Sequence, residues 1–338
     1  MRCSPQHRGN KPHSDAKRDV RFWRRVTCAV IAVTISAHLR TRRTRDVGLE
    51  GELAYLSEKI DSDVAEKVDE LLTRYECEHF YIDMGTNIGV QIRKLYEPEK
   101  YRGAAVHSIF ETYFGTGSRC KVCAIGFEPN PAHKTRNARV QQALTDAGFG
   151  VAILPAAVSA HTGYANFAKP SVAVDEYEDW GGSISSAQNV QGGNVFTFTV
   201  ARVNVARVIR QIRSHLEMRK GSGKIVAKCD IEGSEFEVLP SLVMTQTICL
   251  IDYMWIEWHL LSDETLSQIT NETGVASFRS GIPQASKFMT MLMHQLTDMF
   301  SSSHSDEAAC PTIITTNDDE SFLHDGIEFP TSRLCEES

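Results

Sequence analysis

A doubly wound α/β fold with a mostly parallel sheet is the class that this 338-residue sequence predicts. Short, near-continuous apolar runs recur along the chain, as strands buried on both faces do. Segments with helical periodicity separate several of these runs, which implies parallel strands with helices on both faces. Several runs also end in a polar residue, namely Asp83, Glu128, Asp230 and Glu257. The carboxyl ends of the strands are where such sheets bind ligands.

The chain opens on a basic stretch. Residues 1–45 carry twelve Lys and Arg against two acids, a net of +10, so residues 46–338 carry −17 to give the overall −7. An acidic body excludes a nucleic-acid grip through a basic face. Within the basic front, VTCAVIAVTISAHL (26–39) is apolar. As a helix it reaches about 21 Å, short of the roughly 30 Å hydrocarbon core. With Arg24, Arg25 and Arg40 snorkelling and Trp23 at the interface, it reads as a marginal single-pass membrane anchor in the secretory pathway. A signal-peptide apolar region and an Arg-rich mitochondrial presequence are the other two readings.

Residues 47–77 form a lead-in. GELAYLSEKIDSDVAEKVDELLTRY (51–75) sets Leu53, Leu56, Ile60, Val64, Val68, Leu71 and Leu72 at helical spacing. That predicts an amphipathic helix against the sheet edge. Residues 78–330 form one domain. Its expected strands are HFYID (79–83), KVCAIGFE (121–128), VAILPAAV (151–158), KIVAKCDI (224–231) and CLIDYMWIEW (249–258). Helices are expected over 88–96, 131–147 and 203–218.

The nine cysteines are an odd, scattered set, so no disulfide framework is expected. Cys229 and Cys249 lie in apolar runs, where a thiol packs as a small hydrophobe. Cys120 and Cys123 make one CxxC with no second pair, and HExxH is missing, so no metal is expected.

The stretch YIDMGTNIGV (81–90) ends a strand with Asp83 and follows it with Gly85, Asn87 and Gly89. The glycines permit a tight turn and close backbone approach to a ligand. This is not the GxGxxG of dinucleotide sites. A second acid, Glu128, ends the next strand in IGFEPNP, where a carboxylate can accept from both hydroxyls of a ribose. Asp83 with Glu128 describes an adenosyl-ligand site.

In order, DMGTNIG, GFEPNP, LPAAVS, GGSIS and KCDIEGSEFEVL resemble the FkbM-type family of S-adenosylmethionine-dependent methyltransferases. The resemblance covers residues 78–260 and runs more weakly to DDESFLHDG (318–326). It implies a class I methyltransferase, Rossmann-like fold: a mostly parallel, seven-stranded sheet whose last strand is antiparallel. It also implies S-adenosyl-L-methionine as cofactor. Asp83, Gly85, Asn87 and Gly89 would form the methionine-side loop, Glu128 would hold the ribose, and Ala157, Val158 and Ser159 would border the adenine. Asp230 and Glu232 would face the methyl group and the acceptor. One departure is ARVNVARVI, with Asn204 where the family commonly has an acid.

Methyl transfer to a hydroxyl needs orientation and a base for the proton. Asp230, Glu232 and His259 are the catalytic candidates, with Glu257 beside them. His259, with an unperturbed pKa of about 6.5, is the best matched to neutral pH; it also reads as a loop residue held by a hydrogen bond. Asp230 also reads as a helix cap, and Glu235 and Glu237 as first-turn acids favoured by the helix dipole. The polar loop 171–194, with Tyr177 and Trp180, reads either as substrate-facing or as acidic and solvated. The expected acceptor is a hydroxyl of a sugar, glycolipid or other small molecule. Two rivals remain: a non-catalytic binding module on the same fold, and an NAD-dependent oxidoreductase. The latter needs its acid about 20 residues on, whereas Glu128 lies 45 residues beyond Asp83.

Overall fold

The computed structural model describes residues 47–170, 182–184, 195–219, 223–257, 310, 312–315 and 325–335. The apolar stretch 26–39, Tyr177, Trp180 and His259 lie outside these residues. Among the described residues no helix is long and apolar enough to cross a membrane.

The main sheet contains β1 (His79–Met84), β2 (Val122–Phe127), β3 (Val151–Leu154), β7 (Ile225–Cys229), β8 (Tyr253–Ile256) and β9 (Ile313–Thr315). Their order is β3-β2-β1-β7-β8-β9, and every neighbouring pair is parallel. The pleat sorts the apolar runs onto two faces. Phe80, Ile82 and Met84 of β1 join Cys123, Ile125 and Phe127 of β2 on one face. Tyr81 joins Ala124, Val226 and Trp255 on the other, with the Tyr81 and Trp255 rings stacked 5.8 Å apart.

The first face is covered by α1 (Val47–Arg74), α5 (Val205–Met218) and α6 (Glu235–Met244). The second is covered by α2 (Val90–Tyr96), α3 (His107–Phe114) and α4 (Lys134–Asp146). As expected of a helix at the sheet edge, α1 contacts the edge strand β3 and its neighbour β2. Its Ile60, Val64, Val68, Leu71 and Leu72 are buried in the same cluster as Phe80 and Ile82, and Gln211 of α5 donates to the Ala65 carbonyl at 3.0 Å and to Asp69 Oδ1 at 2.8 Å.

The run VAILPAAV is not one strand. Pro155 supplies no N–H to a ladder, and the chain changes sheets there: β4 (Ala156–Ser159) pairs with β6 (Val195–Asn204), which pairs antiparallel with β5 (Gly163–Pro170). This second, three-stranded sheet was not foreseen. Its signal is the β-branched and aromatic alternation of VFTFTVARV. The resemblance implies seven strands with an antiparallel last one; among the described residues the main sheet has six, all parallel. The only antiparallel strand pair described is β5 with β6.

The expectation of unpaired cysteines is overturned. Cys77 bonds Cys123, Cys120 bonds Cys335 and Cys249 bonds Cys310, and among the described residues Cys229 is a buried free thiol. The partners stand 46, 215 and 61 residues apart. Parallel strand neighbours are always remote in sequence, so spacing does not reveal these pairs. The two cysteines of the CxxC have different partners.

The last described segment, 325–335, is fastened to the second face. Arg93, fully buried, meets Glu97 at 2.7 Å and Asp325 at 2.5 Å, and donates to the carbonyls of Ile327 and Glu328. Arg136 and Tyr101 also donate to Asp325 Oδ2, at 2.8 and 2.9 Å. Phe329 lies against both guanidinium groups, 4.9 Å from Arg93 and 4.7 Å from Arg136.

Candidate functional site

From β1 the chain builds β2 and β3 to one side and later β7, β8 and β9 to the other. The strand order therefore reverses at β1, and the loops after β1 and β7 part above a crevice. They touch at its base. The Asp230 amide donates to the Met84 carbonyl at 3.0 Å, and Gly85, at φ 85°, comes so close that a Cβ there would lie 1.7 Å from the Asp230 carbonyl oxygen. Only glycine fits. Gly89, at φ 86°, serves packing instead: a Cβ would lie 3.1 Å from Val140 of α4.

On the β2 side, Glu128 joins two loops. Its Oε2 accepts from the Asn87 amide and its Oε1 from the Asn130 amide, both at 2.7 Å. Asn87 holds a left-handed φ of 51°, and the Asn137 side chain donates to its carbonyl at 2.7 Å. Burial raises the Glu128 carboxyl to about 8, against the pull of the two amides. His133 Nδ1 stands 3.8 Å from Glu128 Oε1.

These loops enclose a cleft of about 290 Å³. Of the residues singled out from sequence, Gly85, Asn87, Glu128, Ala157 and Val158 line it, and so do Asp230, Glu232 and Glu257. Gly89, Asp83 and Ser159 do not. Asp83 is fully buried beneath the loop; burial pushes its carboxyl up to about 6, while Lys228, 4.0 Å away, pulls it down. Ser159 is fully buried on the opposite side of the pleat from Val158, and its hydroxyl donates to Glu237 Oε1 at 2.9 Å. Asn204 caps α5, accepting from the Ala206 amide at 3.1 Å, and is not part of the cleft lining. His259 lies outside the described residues.

Sequence reasoning missed Lys228. Its Nζ donates to the Gly85 carbonyl at 2.9 Å and to Asp230 Oδ2 at 2.7 Å. Burial opposes its charge, yet Asp230 and Asp83 hold its pKa above the ordinary lysine value. The signal was present: Lys228 is the one charged residue inside the β7 run IVAKC, paired in register with Asp83.

After β7 the chain turns sharply. Glu232 adopts a left-handed φ of 53°, a conformation that costs a non-glycine residue about 1 kcal/mol or more. The buried Glu235 carboxylate holds the turn on either side, accepting from the Ile231 and Gly233 amides at 2.8 Å each. Ser183 adds a third tie, donating from Oγ to the Glu232 carbonyl at 2.6 Å. Ser183 is itself paired with Ala168 of β5 through two backbone hydrogen bonds of 2.9 Å. Phe167, Ser183 and Ile184 thus bring the second sheet to the cleft as its wall. Glu235 and Glu237 act in structure, as their place in the first turn suggested.

The arrangement sets Glu128 on one side of the switch point and three acids, Asp230, Glu232 and Glu257, on the other. Neither a curated protein nor a solved structure matches the chain significantly. The model of the Methyltransferase FkbM domain, in contrast, matches residues 83–297, from the first residue of the β1 motif to well beyond β8. That span is more than half of the chain, and it contains every loop that builds the cleft: this protein belongs to the FkbM methyltransferase family.

Proposed function

We propose that the chain is an S-adenosylmethionine-dependent methyltransferase acting on a hydroxyl of a sugar, glycolipid or other small molecule. The observation that carries this reading is Glu128. Each of its oxygens accepts one backbone amide, which leaves each with acceptor capacity for a ribose hydroxyl. The other residues fit the same ligand, with Ala157 and Val158 offering an apolar wall and Gly85 and Asn87 a close-approaching backbone.

When bound, the cofactor supplies a methyl group made electrophilic by its sulfonium. The chain's own contribution is alignment and proton removal. Asp230, tied to Lys228, and Glu232, fixed by Glu235 and Ser183, face the cleft from a turn with no slack. Either is in place to accept the acceptor hydroxyl's proton, and His259 remains a third candidate base. Calorimetric titration of S-adenosylhomocysteine into the full-length, oxidised protein tests the reading. Micromolar binding that weakens in Glu128→Ala supports it; no binding by a folded protein overturns it.

The three disulfides favour a disulfide-permitting compartment. We therefore place the protein in the secretory pathway as a proposal, with residues 26–39 as membrane anchor. A fluorescent fusion of residues 1–50 followed by carbonate extraction tests this, and import into the mitochondrial matrix would overturn it.

A further inference from the structure

Ser234 is the last residue before α6, the place where a serine ordinarily caps a helix. It does not cap this one. Its side chain makes no cap hydrogen bond: the Ser234 backbone is already helical, at φ −75° and ψ −8°, and the Glu237 amide, which a capping hydroxyl would take, donates to the Ser234 carbonyl at 3.0 Å instead. The residue is 2% exposed and lines the cleft, and its Oγ has no hydrogen-bond partner among the described residues. A buried hydroxyl left this way destabilises the folded protein. It stands at the N-terminus of a ten-residue helix, where backbone N–H groups and the macrodipole favour negative charge.

Several other donors of the cleft are already committed. The Asn87 and Asn130 amides serve Glu128. The Lys228 ammonium serves Gly85 and Asp230, and the Ser183 hydroxyl serves Glu232. The lining otherwise presents the four carboxylates Glu128, Asp230, Glu232 and Glu257, which suit hydroxyls and an ammonium but repel an anion. The amino-acid end of the cofactor carries both an ammonium and a carboxylate, so its anionic group needs a donor that no acid has taken.

We propose that Ser234 Oγ, with the N-terminus of α6, is the subsite that receives the carboxylate of the cofactor's amino-acid portion. The inference rests on the cofactor reading above. Ser234 donates its hydroxyl proton to one carboxylate oxygen, and ligand binding satisfies the hydroxyl that has no partner among the described residues.

The test uses the full-length, oxidised protein and its Ser234→Ala variant. Two probes are titrated by calorimetry: S-adenosylhomocysteine and its decarboxylated analogue, which keeps the nucleoside, thioether and amine. We expect Ser234→Ala to bind S-adenosylhomocysteine roughly ten- to hundredfold more weakly, the loss for a hydrogen bond to a charged group. Binding of the decarboxylated analogue should change less than about twofold, since that probe makes no such bond. Without ligand the variant should melt at or above the wild-type temperature, because a buried hydroxyl without a partner has been removed. Unchanged S-adenosylhomocysteine affinity, an equal loss for both probes, or a fall of several degrees in melting temperature would each overturn the subsite. If the folded wild type binds neither probe, the cofactor reading itself fails, and the subsite with it.

Discussion

The ammonium of Lys228 stands 2.7 Å from Oδ2 of Asp230 and 4.0 Å from Oδ1 of Asp83. One nearly buried cation thus ties together the ends of β1 and β7, the two strands between which the cleft opens. Because Lys228 also holds the Gly85 carbonyl, it fixes the loop backbone and the candidate base together.

Replacing this lysine by methionine keeps the volume but leaves two carboxylates without their cation. Removing one partner of a buried ion pair costs about 3–5 kcal/mol; Asp230 is 22% exposed, so we expect about 3 kcal/mol from Lys228→Met. Urea unfolding of wild type and variant measures it, and a loss below about 1 kcal/mol would show that the pair is solvated.

Glu128 makes ligand binding dependent on pH. Its carboxyl, raised by burial from 4.5 to about 8, is protonated at neutral pH in the folded protein and ionised in the unfolded chain. The stability it contributes is therefore full below about 4.5 and is lost as pH rises through about 8. Binding runs the other way, because a carboxylate accepts more hydrogen bonds than the protonated acid. S-adenosylhomocysteine affinity should rise about tenfold per pH unit between roughly 6 and 8, then level off. Calorimetry across this range checks it, and Glu128→Ala should bind weakly with a flatter profile. Asp83, raised from 3.8 to about 6 and off the cleft, adds only to the loss of stability as pH rises through about 6.

The disulfide Cys120–Cys335 spans 215 residues. Closing so long a loop constrains the unfolded chain by about 5 kcal/mol in the chain-entropy treatment. The double variant Cys120→Ser/Cys335→Ser should lower the midpoint of chemical unfolding while leaving S-adenosylhomocysteine binding in place. Peptide mapping without reductant should recover the pairs Cys77–Cys123, Cys120–Cys335 and Cys249–Cys310. A different pairing would contradict the chain tracing around β2 and β9.

The Asp325 carboxylate holds Arg93, Arg136 and Tyr101 at once. Changing it to alanine leaves the fully buried Arg93 with Glu97 as its only side-chain carboxylate among the described contacts. We expect about 3 kcal/mol of destabilisation and faster amide exchange over 325–335. Exchange in that segment equal to wild type would mean that Phe329 and the disulfide hold it unaided.

The site was legible where chemistry depends on residue type along a single loop. Gly85, Asn87 and Glu128 stand out because glycines and acids at strand ends have few other uses, and the motif order carried the family. Three kinds of feature were not legible. Lys228 matters through its register opposite Asp83. Ser234 differs from an ordinary capping serine because its backbone is already helical and its buried hydroxyl lines the cleft. Asp83 and Ser159 lie off the cleft through the direction of their side chains, which a strand motif does not display.

By itself, the sequence determined the parallel α/β class, the switch-point loops and the acids that end the strands. Those follow from local rules: apolar runs must be buried, and glycine alone tolerates the tight turn at Gly85. Tertiary structure alone decided the second sheet, the three disulfides, the Arg93–Asp325 clamp and the contacts of Lys228 with Gly85 and Asp83. Each of these joins residues far apart in the chain, and their proximity is fixed by strand order and packing rather than by spacing.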